Sequence, residues 1–195
     1  MMLRNTAFVT SVVGPAAFTG DSLPKIAVAG RSNVGKSSLI NALCNNNKIA
    51  YVSRTPGKTR LINLFCVDAK FILADLPGYG FARVSRAEQA SWSGMVERFL
   101  TGSAQLRLLL HLVDIRHEPS KEDLQMSHWM RHFQIPFQCV LTKADKLSKT
   151  QQQQRMEALK QEIPGGEALQ MTPFSAKTGQ GTQELHQIIE HCAAE

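Results

Sequence analysis

The sequence predicts an α/β fold: a mostly parallel, six-stranded sheet with helices on both faces. Three observations lead there. Short apolar runs rich in Val, Ile and Leu alternate with amphipathic stretches along nearly the whole chain. Several of these runs are apolar without alternation, as strands buried on both faces are. The polar motifs fall at the ends of the runs, where open parallel sheets bind their ligands.

The elements follow in order. In the leading segment 1–23, the apolar run from Ala7 to Val13 is broken by Thr10 and Ser11. It reads as part of the mature chain with strand character, an extension packed on the domain, and not as a signal peptide. Candidate strands are 25–30, 61–68, 71–76, 106–114, 136–142 and 169–175. Helical spacing marks 36–45 (Leu39, Ile40, Leu43) and 86–100 (Trp92, Met95, Val96, Phe99). A further helix, 120–133, opens with Ser120 three residues before Asp123, a variant of the capping box. The stretch 149–161 carries four consecutive glutamines, read as an exposed face, and 182–192 repeats Leu185, Ile188 and Ile189. Pro164-Gly165-Gly166 reads as a loop, so the 195 residues form one domain, 1–195.

Composition narrows the class. A hydrophobic content of 43% fills a core. No apolar run reaches the ~18 residues of a membrane span. The four cysteines (Cys44, Cys66, Cys139, Cys192) lack any C-x-x-C pairing and read as free thiols in a reducing cytoplasm. Net charge is +6. Between Lys48 and Arg86 lie seven basic residues (with Arg54, Lys58, Arg60, Lys70 and Arg83) against Asp68 and Asp75, a local +5. Such a surface suits nucleotide phosphate or an RNA backbone, and equally a solvated face balanced elsewhere.

Four motifs carry the chemistry. Gly30-Arg31-Ser32-Asn33-Val34-Gly35-Lys36-Ser37 fits G-x-x-x-x-G-K-[ST] between a strand and a helix, the P-loop context. Glycines let the backbone wrap phosphates, with N–H groups and a helix N-terminus facing the anion. Lys36 reaches the β- and γ-phosphates and the Ser37 hydroxyl takes Mg²⁺. Asp75-Leu76-Pro77-Gly78 closes the third strand; Asp75 suits Mg²⁺ and the Gly78 N–H can sense the γ-phosphate. Thr142-Lys143-Ala144-Asp145 ends the fifth. A carboxylate facing guanine N1–H and its exocyclic amine makes a charge-assisted pair that adenine cannot match. The Lys143 stem lies along the base, and the Ala176 N–H of Ser175-Ala176-Lys177 donates to the guanine carbonyl. In this order after a P-loop, the motifs select guanine.

These residues resemble the EngB (YihA/YsxC) family of bacterial GTPases, grouped with Era and EngA. The resemblance is carried by the P-loop extended through Ser38-Leu39-Ile40-Asn41, by Arg54-Thr55-Pro56-Gly57-Lys58-Thr59 and by Asp75-Leu76-Pro77-Gly78-Tyr79-Gly80. Thr142 to Asp145 and Phe174-Ser175-Ala176 complete it. Thr142 in place of the usual Asn and the Pro-Gly-Tyr-Gly run are features of that family. The resemblance implies nucleotide contacts from residues 30–38, from Gly57, Lys58 and Thr59, from 75–78, from 142–145 and from 174–176. It implies Lys36, Thr59 and Gly78 as catalytic, and Ser37, Thr59 and Asp75 at Mg²⁺. Thr55 and Thr59 compete for the switch position, and motif alignment favours Thr59. It also implies slow GTP hydrolysis, a GTP/GDP switch in large ribosomal subunit assembly, and support for septation. The basic switch region would meet rRNA and ribosomal proteins, with the chain a cytoplasmic monomer.

Tyr79 stands where many relatives carry a water-orienting Gln, and a phenol cannot reproduce an amide's paired donor and acceptor. Asn33 resembles the P-loop Asn of K⁺-activated GTPases, which points to K⁺ near the phosphates. His128 and His132 have i, i+4 spacing but enclose no H-E-x-x-H. His111 reads as a hydrogen-bonded core residue, Trp92 and Trp129 as core, and Arg116 and His117 as structural or contact residues. A nucleoside-kinase reading lacks a spare arginine-rich lid, and a non-hydrolysing module would not need Lys36, Ser37 and Asp75.

Overall fold

The computed structural model describes residues 5–14, 22–46, 49, 61–80 and 86–194, with residues 86–90 and 92 by backbone alone. Within these the chain runs β1 (Thr6–Val12), β2 (Lys25–Gly30), α1 (Lys36–Leu43), β3 (Ile62–Val67), β4 (Phe71–Asp75) and α2 (Arg86–Gly102). It continues through β5 (Leu106–Asp114), α3 (Lys121–His132), β6 (Phe137–Thr142), α4 (Lys149–Glu162), β7 (Met171–Pro173) and α5 (Thr182–Ala194).

The described strands form one seven-stranded sheet in the order β1-β3-β4-β2-β5-β6-β7. Every predicted strand is present, and the count rises from six to seven because the leading segment supplies β1. That strand pairs antiparallel with β3 along the edge, Ala7 opposite Cys66 and Val12 opposite Ile62. Its weak alternation matches its burial, since only Val12 is buried. The β3–β4 pair is also antiparallel and turns tightly, with Asp68 and Ala69 at φ 48° and 54°. The Lys70 N–H closes this turn on the Val67 carbonyl at 2.9 Å, and positive φ at both central residues is the type I′ pattern. From β4 to β7 all pairs are parallel.

Burial explains the uniformly apolar strands. Val28, Leu110 and Val140 pack on one side with Leu39, Ile40 and Leu43 of α1 and Leu185 and Ile189 of α5. Ala27, Ile62 and Leu109 pack with Met95, Val96 and Phe99 of α2 and Met126 and Met130 of α3. Leu159 and Ile163 cover Cys139 and Leu141. Trp129 is only partly buried against the second of these groups, and the Trp92 side chain lies outside the described residues. Ser120 caps α3 with the expected reciprocal bonds to Asp123. The glutamine face departs from expectation at one position: Gln151, Gln153 and Gln154 are exposed, but Gln152 is buried. Its amide donates to the Ala144 and Leu147 carbonyls and accepts from Gln180. All four cysteines are free thiols, and burial pushes Cys139 up to about 12.

Candidate nucleotide site

Parallel pairing of β2 with β4 and β5, and of β6 with β5 and β7, brings the sequence motifs together at the carboxyl ends of these strands. Gly30 ends β2 so tightly packed that a Cβ would come 2.8 Å from Val34 Cγ1 and 2.9 Å from Leu112 Cβ. Gly35 takes φ 111° at the N-cap of α1, a conformation that only glycine adopts freely. Asn33 also lies in the left-handed region, at φ 64°, with an exposed side chain. The loop curls through these positive-φ residues into α1, which opens with Lys36 and Ser37. Val34 is buried and contributes backbone alone.

Asp75 sits 4% exposed at the end of β4, and the Lys36 ammonium forms an ion pair with its carboxylate. Leu76 is buried, its N–H donating to the Val28 carbonyl. Gly78 passes close to the loop, where a Cβ would meet Ser32 Oγ at 3.3 Å. The next residue, Tyr79, is tied to the P-loop: its N–H donates to Gly30 O (3.3 Å) and its carbonyl accepts from Ser32 N–H (2.9 Å) and Ser32 Oγ (3.2 Å). Its phenol points into the core, reaching Asp123 and His111. His111 is thus the hydrogen-bonded core histidine expected, and burial holds it neutral by lowering its pKa to about 4.

The third group is built from β5, β6 and β7. Thr142 is buried, and its hydroxyl donates to the Val34 carbonyl at 2.7 Å, fastening the β6 loop to the P-loop. Lys143 adopts φ 62°, and its ammonium reaches the Asn33 carbonyl (3.1 Å) and Asp114 Oδ2 (2.9 Å). Asp114, at the end of β5, also takes a bidentate contact from Arg116 at 2.9 and 2.8 Å. Burial favours its neutral form, but the Arg116 and Lys143 cations outweigh that and hold it well below the usual carboxylate range. The Ser175 hydroxyl donates to Asp145 Oδ1 at 2.8 Å and lowers that carboxyl's pKa. Ala144 N–H donates to the Phe174 carbonyl. Phe174 itself lies in the core, so it shapes the loop through backbone and packing. Ala176 is exposed beside this loop.

Gly57, Lys58 and Thr59, with the rival Thr55, lie outside the described residues, as do Lys48, Arg54, Arg60, Arg83 and the Arg86 side chain. Of the basic window, Lys70 is described and exposed. His128 and His132 are both exposed, and no group of three potential metal ligands occurs among the described residues. Sequence reasoning missed Asp114 and Asp123 and gave Arg116 no mechanism. The adjacent Asp-x-Arg was visible at Asp114, whereas nothing local marked Asp123 as more than a cap. The Ser37 hydroxyl and Asp75 carboxylate are hard oxygen donors beside a phosphate loop, a set that suits Mg²⁺.

A phosphate-wrapping loop, an acidic D-x-x-G turn and an Asp145–Ser175 corner at the carboxyl ends of the parallel strands define a P-loop GTPase. Residues 25–143 match a family model described as 50S ribosome-binding GTPase. A probable GTP-binding protein EngB of Heliobacterium modesticaldum is 40% identical over 98% of this chain and 93% of its own. That of Desulfosudis oleivorans is 46% identical, covering 97% and 95%. Among solved structures, a probable GTP-binding protein engB superposes with TM-score 0.71 at 25% identity, covering 87% of this chain and 98% of that one. Era of Aquifex aeolicus, bound to GDP and AlF₄⁻, shares the fold at TM-score 0.66 and 22% identity, over 88% and 57%. The chain belongs to the EngB family of GTPases. No helix among the described residues is long and apolar enough to cross a membrane.

Proposed function

We propose that this protein is a slow, Mg²⁺-dependent GTPase acting as a nucleotide switch in large ribosomal subunit assembly, and through it in cell division and septation. The observation that carries the reading is the meeting of Lys36 and Asp75 beside Gly78, at the same end of the parallel strands as Asp145. The P-loop amides and Lys36 hold the phosphates, and the Gly78 N–H meets the γ-phosphate. Ser37, Asp75 and the switch residue Thr59 would hold Mg²⁺, which would supply charge neutralisation to the phosphates. Asp145, set by Ser175, pairs with guanine; Lys143 lies along the base and Ala176 N–H meets its carbonyl.

Slow turnover follows from Tyr79, whose hydroxyl is committed inside the core and leaves the water-orienting position without an amide. K⁺ near the exposed Asn33 would add positive charge beside the phosphates. The basic residues between Lys48 and Arg86 supply the docking surface for rRNA and ribosomal proteins, with the 195 residues acting as one cytoplasmic, monomeric domain. The family model's description as ribosome-binding supports that partner. Co-sedimentation with ribosomal subunits in GDP, a non-hydrolysable GTP analogue and no nucleotide tests the switch. Binding restricted to the GTP-analogue state and weakening steeply with salt is expected. Binding indifferent to nucleotide would overturn it.

A further inference from the structure

Tyr79 occupies an unusual position: a loop residue whose hydroxyl is spent inside the core. Its OH donates to Asp123 Oδ1 at 2.8 Å and lies 2.7 Å from His111 Nε2. With the hydroxyl proton on the carboxylate, the imidazole presents Nε2–H to the phenol oxygen, a tautomer assigned from the network. His111 Nδ1 then faces Ser127 Oγ at 3.4 Å. The other Asp123 oxygen accepts the Ser120 N–H at 2.9 Å, closing the N-terminus of α3. One carboxylate thus serves both the helix cap and the loop. Tyr79, His111, Asp123 and Ser127 are 6%, 0%, 4% and 0% exposed, so these bonds are little screened by water.

The anchored residue lies between two glycines. Gly80 takes φ 73°, and a Cβ there would come 2.8 Å from Arg31 Cγ. Gly78 abuts Ser32. Backbone bonds to Gly30 and Ser32 hold Tyr79 to the P-loop, and the phenol holds it to β5 and α3. The chain is fixed at this residue, and the Ser32 backbone packed against Gly78 confines the position just before it. A backbone N–H next to such an anchor is already oriented when an anion arrives, so less ordering opposes binding.

We propose that Tyr79 is a positioning residue: through the buried Asp123–His111 cluster it orients the Gly78 N–H and so sets the ratio of GTP to GDP affinity. This rests on the reading that Gly78 meets the γ-phosphate, a group that GDP lacks. Hydrogen bonds to charged groups justify an effect of about tenfold.

The test measures affinities for GDP and a non-hydrolysable GTP analogue, with thermal melting as the check on folding, for wild type, Tyr79→Phe, Asp123→Asn and the double variant. Asn at 123 keeps an oxygen for the α3 cap. Each single variant should lose about tenfold in the GTP-analogue-to-GDP affinity ratio, with GDP binding within about twofold of wild type. The double variant should lose no more than either alone, because both break one bond. A ratio unchanged in Tyr79→Phe, or a parallel fall for both nucleotides, overturns the proposal. Should Tyr79→Phe fail to fold, the ratio in Asp123→Asn decides in the same way. Failure of the wild type to bind either nucleotide would instead sink the functional reading itself.

Discussion

Replacing Asp114 with Asn probes how the base loop is held. Asp114 is 6% exposed and faces two cations: Lys143 Nζ at 2.9 Å and the Arg116 guanidinium at 2.9 and 2.8 Å. Breaking a fully buried pair costs about 3–5 kcal/mol. Here the Arg116 and Lys143 side chains are 35% and 32% exposed, so water screens part of the attraction. A loss of about 2 kcal/mol follows for D114N. For a chain of 195 residues that is a fall of about 5 °C in melting temperature at neutral pH. Lys143 also reaches the Asn33 carbonyl, so loosening it disturbs the contact between base loop and P-loop. Affinity for GDP and for GTP should therefore fall together, by about tenfold, in a fluorescent-nucleotide titration. The pH dependence adds a sign. The folded Asp114 titrates below its ordinary 3.8, so the unfolded chain binds more protons there. Its contribution is present above pH 3.8 and is lost as pH falls further, closing the gap between wild type and D114N. A melting temperature within 1 °C of wild type with unchanged GDP affinity would refute the reasoning, as would a loss confined to GTP.

Further expectations follow from the same geometry. His111 titrates at about 4 when folded against 6.5 when free, because burial disfavours its cation. The unfolded chain takes up that proton first as pH drops, so stability should hold above pH 6.5 and decline by up to about 3 kcal/mol towards pH 4. Denaturant unfolding across that range should show a flatter profile for His111→Gln, and identical profiles would count against a neutral buried imidazole. Lys36→Met removes the cation paired with Asp75 and should lower single-turnover GTP hydrolysis about a hundredfold; chelating Mg²⁺ should abolish it in the wild type. Hydrolysis should run faster in KCl than in NaCl at equal ionic strength, and equal rates would remove the ion proposed near Asn33.

What was legible in the sequence was whatever depends on neighbours along the chain. The P-loop works through backbone N–H groups, so its demands reduce to glycines at fixed spacing, with Lys36 and Ser37 following directly. The α3 cap was visible because Ser120 and Asp123 lie within one turn. Strand β1 was less so: on an edge only Val12 is buried, and the apolar pattern fades with burial. Gln152 is hidden by its identical neighbours, since the distinguishing partners, Ala144, Leu147 and Gln180, come from the fold.

The side chains that hold the site together belong to a different class. Tyr79 finds His111 and Asp123 at separations of 32 and 44 residues, and Thr142 finds the Val34 carbonyl at 108. No local pattern encodes such pairs, so the sequence shows Tyr79 as part of a family motif and as the absence of a glutamine, but not its partners. Strand order supplies the missing link. Pairing of β5 with β6 sets Asp114 directly beside Thr142, and pairing of β2 with β5 sets Gly30 beside Leu112. Given that register, an acid at the end of β5 must lie next to the loop that carries Lys143, and His111, three residues earlier, must face a different layer from Leu112. The residues proposed to bind are written into contiguous motifs, and those that position them became readable once the strands were placed in order.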